Sequence, residues 1–118
     1  MTTTAELAWV AGFLEGEGTF AFSRSAQVTA VQVQREPLDR LLQILGGTIQ
    51  GPYENKKSTR CQPFFRWCLY GAPAAGVMFT MFPWMSLKRR VQIKKAIARW
   101  RAMPGRGYRS DLKPLTAW

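Results

Sequence analysis

Two carboxylates, Glu15 and Glu17, alternate with the glycines at 16 and 18 near the end of the stretch LAWVAGFLEGEGTF, residues 7–20. The rest of the composition narrows what they could do. The chain has no histidine, which removes histidine bases and ligands together with the serine and cysteine triads. Cys61 and Cys68 form no CxxC unit and read as reduced packing residues. Carboxylate with metal, lysine, tyrosine or a cofactor remains. Seventeen Lys and Arg against seven Asp and Glu leave a net charge of +10. That excess points to a polyanionic partner, nucleic acid ahead of an anionic membrane surface.

The acids need an element to place them. Thr3 followed three residues later by Glu6 fits a capping box, so a helix is expected from Thr4 to about Gly16. Ala8, Gly12 and Gly16 recur every four residues and stack along one stripe of that helix. Helical glycine costs about 1 kcal/mol relative to alanine, so the stripe points to a closely approaching second helix. Glu15 and Glu17 stand about 200° apart around a regular helix, so they form no acid and base pair.

Beyond it, Thr19 to Arg24 and Gln27 to Arg35 have strand composition, with a turn over Ser23 to Ala26. Alternation in the second puts Val28, Ala30, Gln32 and Gln34 on one face and Thr29, Val31, Val33 and Arg35 on the other, without saying which is buried. Pro37 and the LDRLLQILG pattern predict a packing helix ended by Gly46 and Gly47. Strands are expected over Thr48 to Tyr53 and Arg60 to Tyr70, with Arg60, Gln62, Phe64 and Arg66 on one face of the latter. A short apolar helix closes at Pro83. A final helix capped by Ser86 is expected to bury Leu87, Val91, Ile97 and Ala98. This order predicts an α+β domain, an antiparallel sheet with helices behind it, over residues 1–103, with a tail of little regular structure over 104–118. Neither a signal peptide nor a run of about 20 apolar residues is present, so an intracellular protein is expected, in bacterial or phage-infected cytoplasm or an organelle, and no membrane partner.

Residues Val10 to Gly18, VAGFLEGEG, resemble the nine-residue motif of the LAGLIDADG homing endonucleases. Ala11, Gly12, Gly16 and Gly18 and the acids 15 and 17 fall in register, and the order of elements over nearly the whole chain is similar to that family's. LKRRVQIKKAI likewise resembles its basic turn before the last long helix, with Arg89 three residues before Gln92. The resemblance implies an αββαββα fold with a saddle-shaped antiparallel sheet. It implies a homodimer whose first helices meet along Ala8, Ala11, Gly12 and Gly16, with Glu15 at the interface. It further implies that Glu17, with the Gly16 carbonyl, holds Mg2+, for which Mn2+ may substitute, at the centre of double-stranded DNA.

The resemblance makes the activity hydrolysis of both strands at a palindromic or near-palindromic site, tied to intron or intein mobility. Gln34 or Arg35, and Arg89 with Lys88 as its alternative, match the positions around the attacking water. Arg24, Gln32, Gln34, Arg60, Gln62 and Arg66 are candidates for base and backbone contacts, and Lys56, Lys57 and the last helix for phosphates. Both acid positions depart from the motif by carrying glutamate in place of aspartate, each arm one methylene longer. A same-fold DNA- or RNA-binding protein that does not cut, acting as a maturase or transcription regulator, is the alternative. A basic structural module is the second rival.

Overall fold

The structure is a computed structural model that describes residues 2–54 and 62–103. Helix α1 (Thr4–Glu17) leads into strands β1 (Gly18–Ser23) and β2 (Ser25–Gln32). Helix α2 (Glu36–Leu45), strands β3 (Thr48–Tyr53) and β4 (Phe64–Tyr70), helix α3 (Ala72–Met81), a 3₁₀ turn at Phe82–Trp84 and helix α4 (Leu87–Arg101) follow. The four strands form one antiparallel sheet in the order β1-β2-β4-β3. The α+β reading holds. Contacts cluster into two compact units, one of the chain up to Thr19 with 29–69, the other of 20–28 with the chain from Tyr70 on.

In the first unit, the capping box at the start of α1 is formed. Glu6 N–H donates to Thr3 Oγ1 at 3.1 Å and Thr3 N–H donates to Glu6 Oε1 at 2.9 Å. The Thr3 backbone donor also holds the Glu6 carboxyl below its usual value. Val10, Ala11 and Leu14 are the buried residues of α1, and Leu38 and Leu41 those of α2. Trp67 of β4 is fully buried, its indole N–H donating to the Gly46 carbonyl at 2.9 Å. Gly47 has φ +95, and an added Cβ would lie 2.5 Å from the Cys68 carbonyl oxygen. Glycine is therefore required where the chain leaves α2 to become β3. Cys68 is a free, buried thiol, as expected of a packing residue; Cys61 lies outside the described residues.

In the second unit, α3 buries Ala74, Ala75, Met78 and Met81, and α4 buries Ile93, Ala96, Ile97 and Trp100. This corrects the expected face of α4. Leu87 and Val91 are exposed, as is Ala98, and only Ile97 of the expected set is buried. The buried stripe follows the spacing i, i+3, i+4, i+7 and is anchored by the large Trp100 ring, which gains more from burial than Leu87 at the helix start. Arg90 fastens the start of α4, its Nε donating to the Phe82 carbonyl at 3.2 Å and its Nη2 to the Pro83 carbonyl at 3.0 Å.

Strand β2 settles the face that alternation left open. Ala26, Val28 and Ala30 are buried along one face; on the other, Thr29 is buried as well at 8% exposure, while Val31 and Val33 are 43% and 46% exposed. The strand also ends at Gln32, three residues before the expected boundary, and residues 33–35 bend into α2. Among the described residues no helix is long and apolar enough to cross a membrane.

Candidate functional site

Glu17 is the last residue of α1 and is exposed. The chain turns from helix to strand immediately after it, with Gly18 extended at φ −85, ψ 160 and its N–H donating to the Leu14 carbonyl. A Cβ on Gly18 would stand 2.8 Å from Leu14 O and 2.9 Å from Leu14 Cδ2. Gly18→Ala is therefore expected to displace the turn that carries Glu17, at about 1–3 kcal/mol of stability. Thermal denaturation checks it, and an unchanged melting temperature would show that the helix end relaxes freely.

No basic residue occupies the last turn of α1. The helix end already carries a partial negative charge from its free carbonyls, so an acid there is electrostatically disfavoured. Among the described residues no three His, Cys, Asp or Glu side chains converge into a metal-holding group. Among the described residues the end of α1 thus offers the Glu17 carboxylate beside main-chain oxygens. That hard oxygen donor set fits Mg2+ or Ca2+, provided the remaining positions are filled by oxygens from outside the chain.

Leading up to Glu17, Ala8, Gly12 and Gly16 are all exposed. A Cβ added at Gly12 or Gly16 meets nothing within 4 Å. Among the described residues no packing demands these glycines. Glu15 is half-buried. Ala11 departs from the expected interface: it is only 5% exposed and sits with Val10 and Leu14 on the core side of α1, about 100° around from Gly12.

Within the first unit, the open face of the sheet is set by the pairing of β3 with β4. Gln50 lies opposite Arg66, so the two share a face. Arg66 and Gln50 are both exposed. Tyr53 donates its hydroxyl to Gln50 Oε1 at 3.1 Å, which orients the amide and leaves its NH2 as donor. Gln50 escapes a reading of the sequence because only the register with Arg66 reveals it. Gln62 is exposed outside any strand; Arg24, which belongs to the second unit, is exposed at the turn between β1 and β2 in a left-handed conformation with φ 67.

Other expected positions move. Gln32 is half-buried and alternates with the buried Ala30 and Val28, which takes it off the open face. Gln34 is exposed but lies beyond the end of β2, so strand alternation no longer aims it. Arg35 has become the residue capping α2. Its Nε donates to Asp39 Oδ1 at 3.0 Å and its guanidinium stands 5.6 Å from the Phe65 ring centroid. Arg35 is therefore engaged in an exposed ion pair with Asp39 one turn along α2. Lys56, Lys57 and Arg60 lie outside the described residues.

In the second unit, Lys88 and Arg89 occupy the first turn of α4, where Ser86 Oγ accepts the Arg89 N–H at 3.5 Å. Arg89 Nη1 donates to Gln92 Oε1 at 3.1 Å, so one turn of helix holds its guanidinium in place. Lys88 is exposed.

No family model and no curated protein matches this sequence. Solved structures do match. The homing endonuclease I-CvuI, in complex with its target (Sro1.3) in the presence of 2 mM Ca, is similar with a TM-score of 0.66 and 23% identity, over 86% of this chain and 69% of that one. The same endonuclease with the I-CreI target (C1221) in 2 mM Mg, its DNA not cleaved, is similar with a TM-score of 0.66 and 23% identity, over 94% and 75%.

Proposed function

We propose that this chain, whose fold is that of the LAGLIDADG homing endonucleases, is a metal-dependent endonuclease that cuts both strands of a DNA duplex as a homodimer. The observation that carries the proposal is Glu17, an exposed acid kept at the disfavoured end of α1, at the foot of a stripe whose glycines no described residue requires. Structures of this fold bound to DNA support it.

Each subunit contributes one carboxylate, and a duplex has two strands to cut. A two-fold dimer meeting along Ala8, Gly12 and Gly16 supplies two copies of Glu17, and its site is accordingly palindromic or nearly so. Glu17 and the Gly16 carbonyl would hold Mg2+, with Mn2+ as substitute. Such an ion, when bound, acidifies a water and neutralises charge building on the phosphate. Arg89, braced by Gln92, is suited to hold an anionic oxygen or orient a water, with Lys88 as the neighbouring cation. Gln34 stays a candidate for the same task, while Arg35 would have to leave Asp39 to take part.

Arg66 and Gln50 on the open sheet face are the residues best placed to read base edges, since arginine matches guanine and a glutamine donor matches adenine. Arg24 and Gln62 add exposed polar groups. Two copies at +10 each carry +20, so affinity is expected to fall steeply with salt. Selection of cleaved sites from a random duplex library tests the reading. A nearly symmetric sequence cut only with a divalent cation is the expected result; no cut site in Mg2+ or Mn2+ would overturn it.

A further inference from the structure

The second unit holds a feature that the cutting of a duplex does not use. Between β1 and α4 lies a groove of about 500 Å³, within the range of small-molecule sites. Phe20, Phe22 and Ala96 form apolar walls, and Gln92, Lys95 and Arg99 bring polar groups to it. The Arg99 guanidinium stands 4.9 Å from the Phe22 ring centroid, so its charge is backed by an aromatic face. Neither β1 nor α4 contains an acid, so neither element neutralises Lys95 and Arg99.

The occupant must therefore combine a flat apolar body with more than one negative charge. An aliphatic carboxylate would answer one cation and leave Gln92 without a partner from the ligand. A nucleotide answers all three groups. Its base lies against apolar walls and an arginine plane, its phosphates meet Lys95 and Arg99, and every base has an acceptor for the Gln92 amide. The acceptor oxygen of Gln92 is already taken by Arg89, which leaves the NH2 as the donating end. A base inside a duplex cannot enter such a groove, because it is stacked on both sides.

We infer that the groove between β1 and α4 binds an unpaired nucleotide of single-stranded nucleic acid, with the base between Phe22 and Ala96 and the phosphates on Lys95 and Arg99. Gln92 also supports Arg89, and the basic side chains of α4 are candidates for duplex phosphates, but the apolar walls Phe20, Phe22 and Ala96 have no part in the duplex-cutting proposal. It does not depend on that proposal.

Fluorescence anisotropy of the full chain with short labelled single strands tests it, comparing oligothymidine and oligouridine with an abasic strand of the same length. The base-bearing strands are expected to bind about tenfold more tightly than the abasic one at equal salt, the low end of what stacking one base contributes. Oligodeoxyuridine is measured beside oligouridine, because the two differ only in the 2′-OH and their order therefore tells DNA from RNA. Ala98→Trp, an exposed position on the groove wall, is expected to fill the groove and abolish the preference for bases. Lys95→Ala with Arg99→Ala is expected to weaken both kinds of strand, since both carry phosphates, and the base-bearing strands further, since Arg99 also flanks the base. Equal binding of abasic and base-bearing strands by the parent protein, or an undiminished preference in a folded Ala98→Trp variant, overturns the inference. Duplex cleavage is followed in parallel, and a protein that cuts its duplex yet ignores unpaired bases would lose the groove and keep the nuclease.

Discussion

Glu17→Gln is expected to lower duplex cleavage by about a thousandfold or more, because it removes the one carboxylate each subunit offers a cation worth several kcal/mol to the transition state. Binding of the same duplex should survive. In the absence of divalent metal it should tighten, since each subunit presents one negative charge fewer to the phosphates. The variant is also expected to melt no earlier than the parent. Glu17 stands at the negative end of α1 with no basic residue in its turn, so removing its charge relieves an unfavourable interaction with the helix dipole. Loss of function without loss of stability separates a chemical role from a structural one. Cleavage assays with Mg2+, duplex binding in EDTA and thermal denaturation provide the three readings. Undiminished cutting by Glu17→Gln would remove this residue from the metal. A parent that binds a site but does not cut it, with the variant indistinguishable, would identify the binding-only alternative of the same fold.

Local signals carry most of the fold. The Thr3 and Glu6 capping box and the glycine pair after Leu45 act over three or four residues, so their outcome is written in adjacent positions. Strand β3 has its expected bounds for the same reason, beginning straight after Gly47. The misplaced features are those decided by tertiary contacts. Helix α4 carries two apolar stripes, Leu87, Val91 and Ala98 on one side and Ile93, Ala96, Ile97 and Trp100 on the other, and the basic residues between them give neither a polarity advantage. Only what packs against the helix chooses. The end of β2 differs because Gln34 and Arg35 extend an alternating pattern, whereas Arg35 in the structure pairs with Asp39 and joins the start of α2.

The site divides along the same line. Glu17, Gly12 and Gly16 are legible because their spacing lies within one helix. Ala11 is drawn to the interface by its place in the motif, although its direction follows that of Val10 and Leu14 into the core. Gln50 becomes visible only through the β3 and β4 register. The Arg89 and Gln92 pair, three residues apart on α4, is legible as a local spacing and forms a hydrogen bond.

Gly12→Leu is expected to weaken dimerisation by on the order of a hundredfold or more while leaving the isolated subunit as stable as before. Among the described residues nothing lies within 4 Å of a Cβ added there, so the new side chain starts in open space. Leucine is also the better helix former, and by that criterion alone the substitution gains roughly 0.5–1 kcal/mol. A chain selected only for its own stability would not keep glycine at this place. Between two copies the sign reverses. At a two-fold interface every substitution is made twice, and inserting bulk into a close helix contact costs about 1–3 kcal/mol each time. The opposite effects on subunit and dimer make the outcome diagnostic. Sedimentation velocity at several concentrations reads the association, and thermal denaturation of the monomeric fraction reads the fold. Cutting of both strands should fall with association, since a lone subunit brings a single Glu17 to the duplex. A Gly12→Leu protein that remains a dimer at the parent's concentrations would move the contact away from the Ala8, Gly12 and Gly16 stripe, and with it the reason for two acids to meet on one duplex.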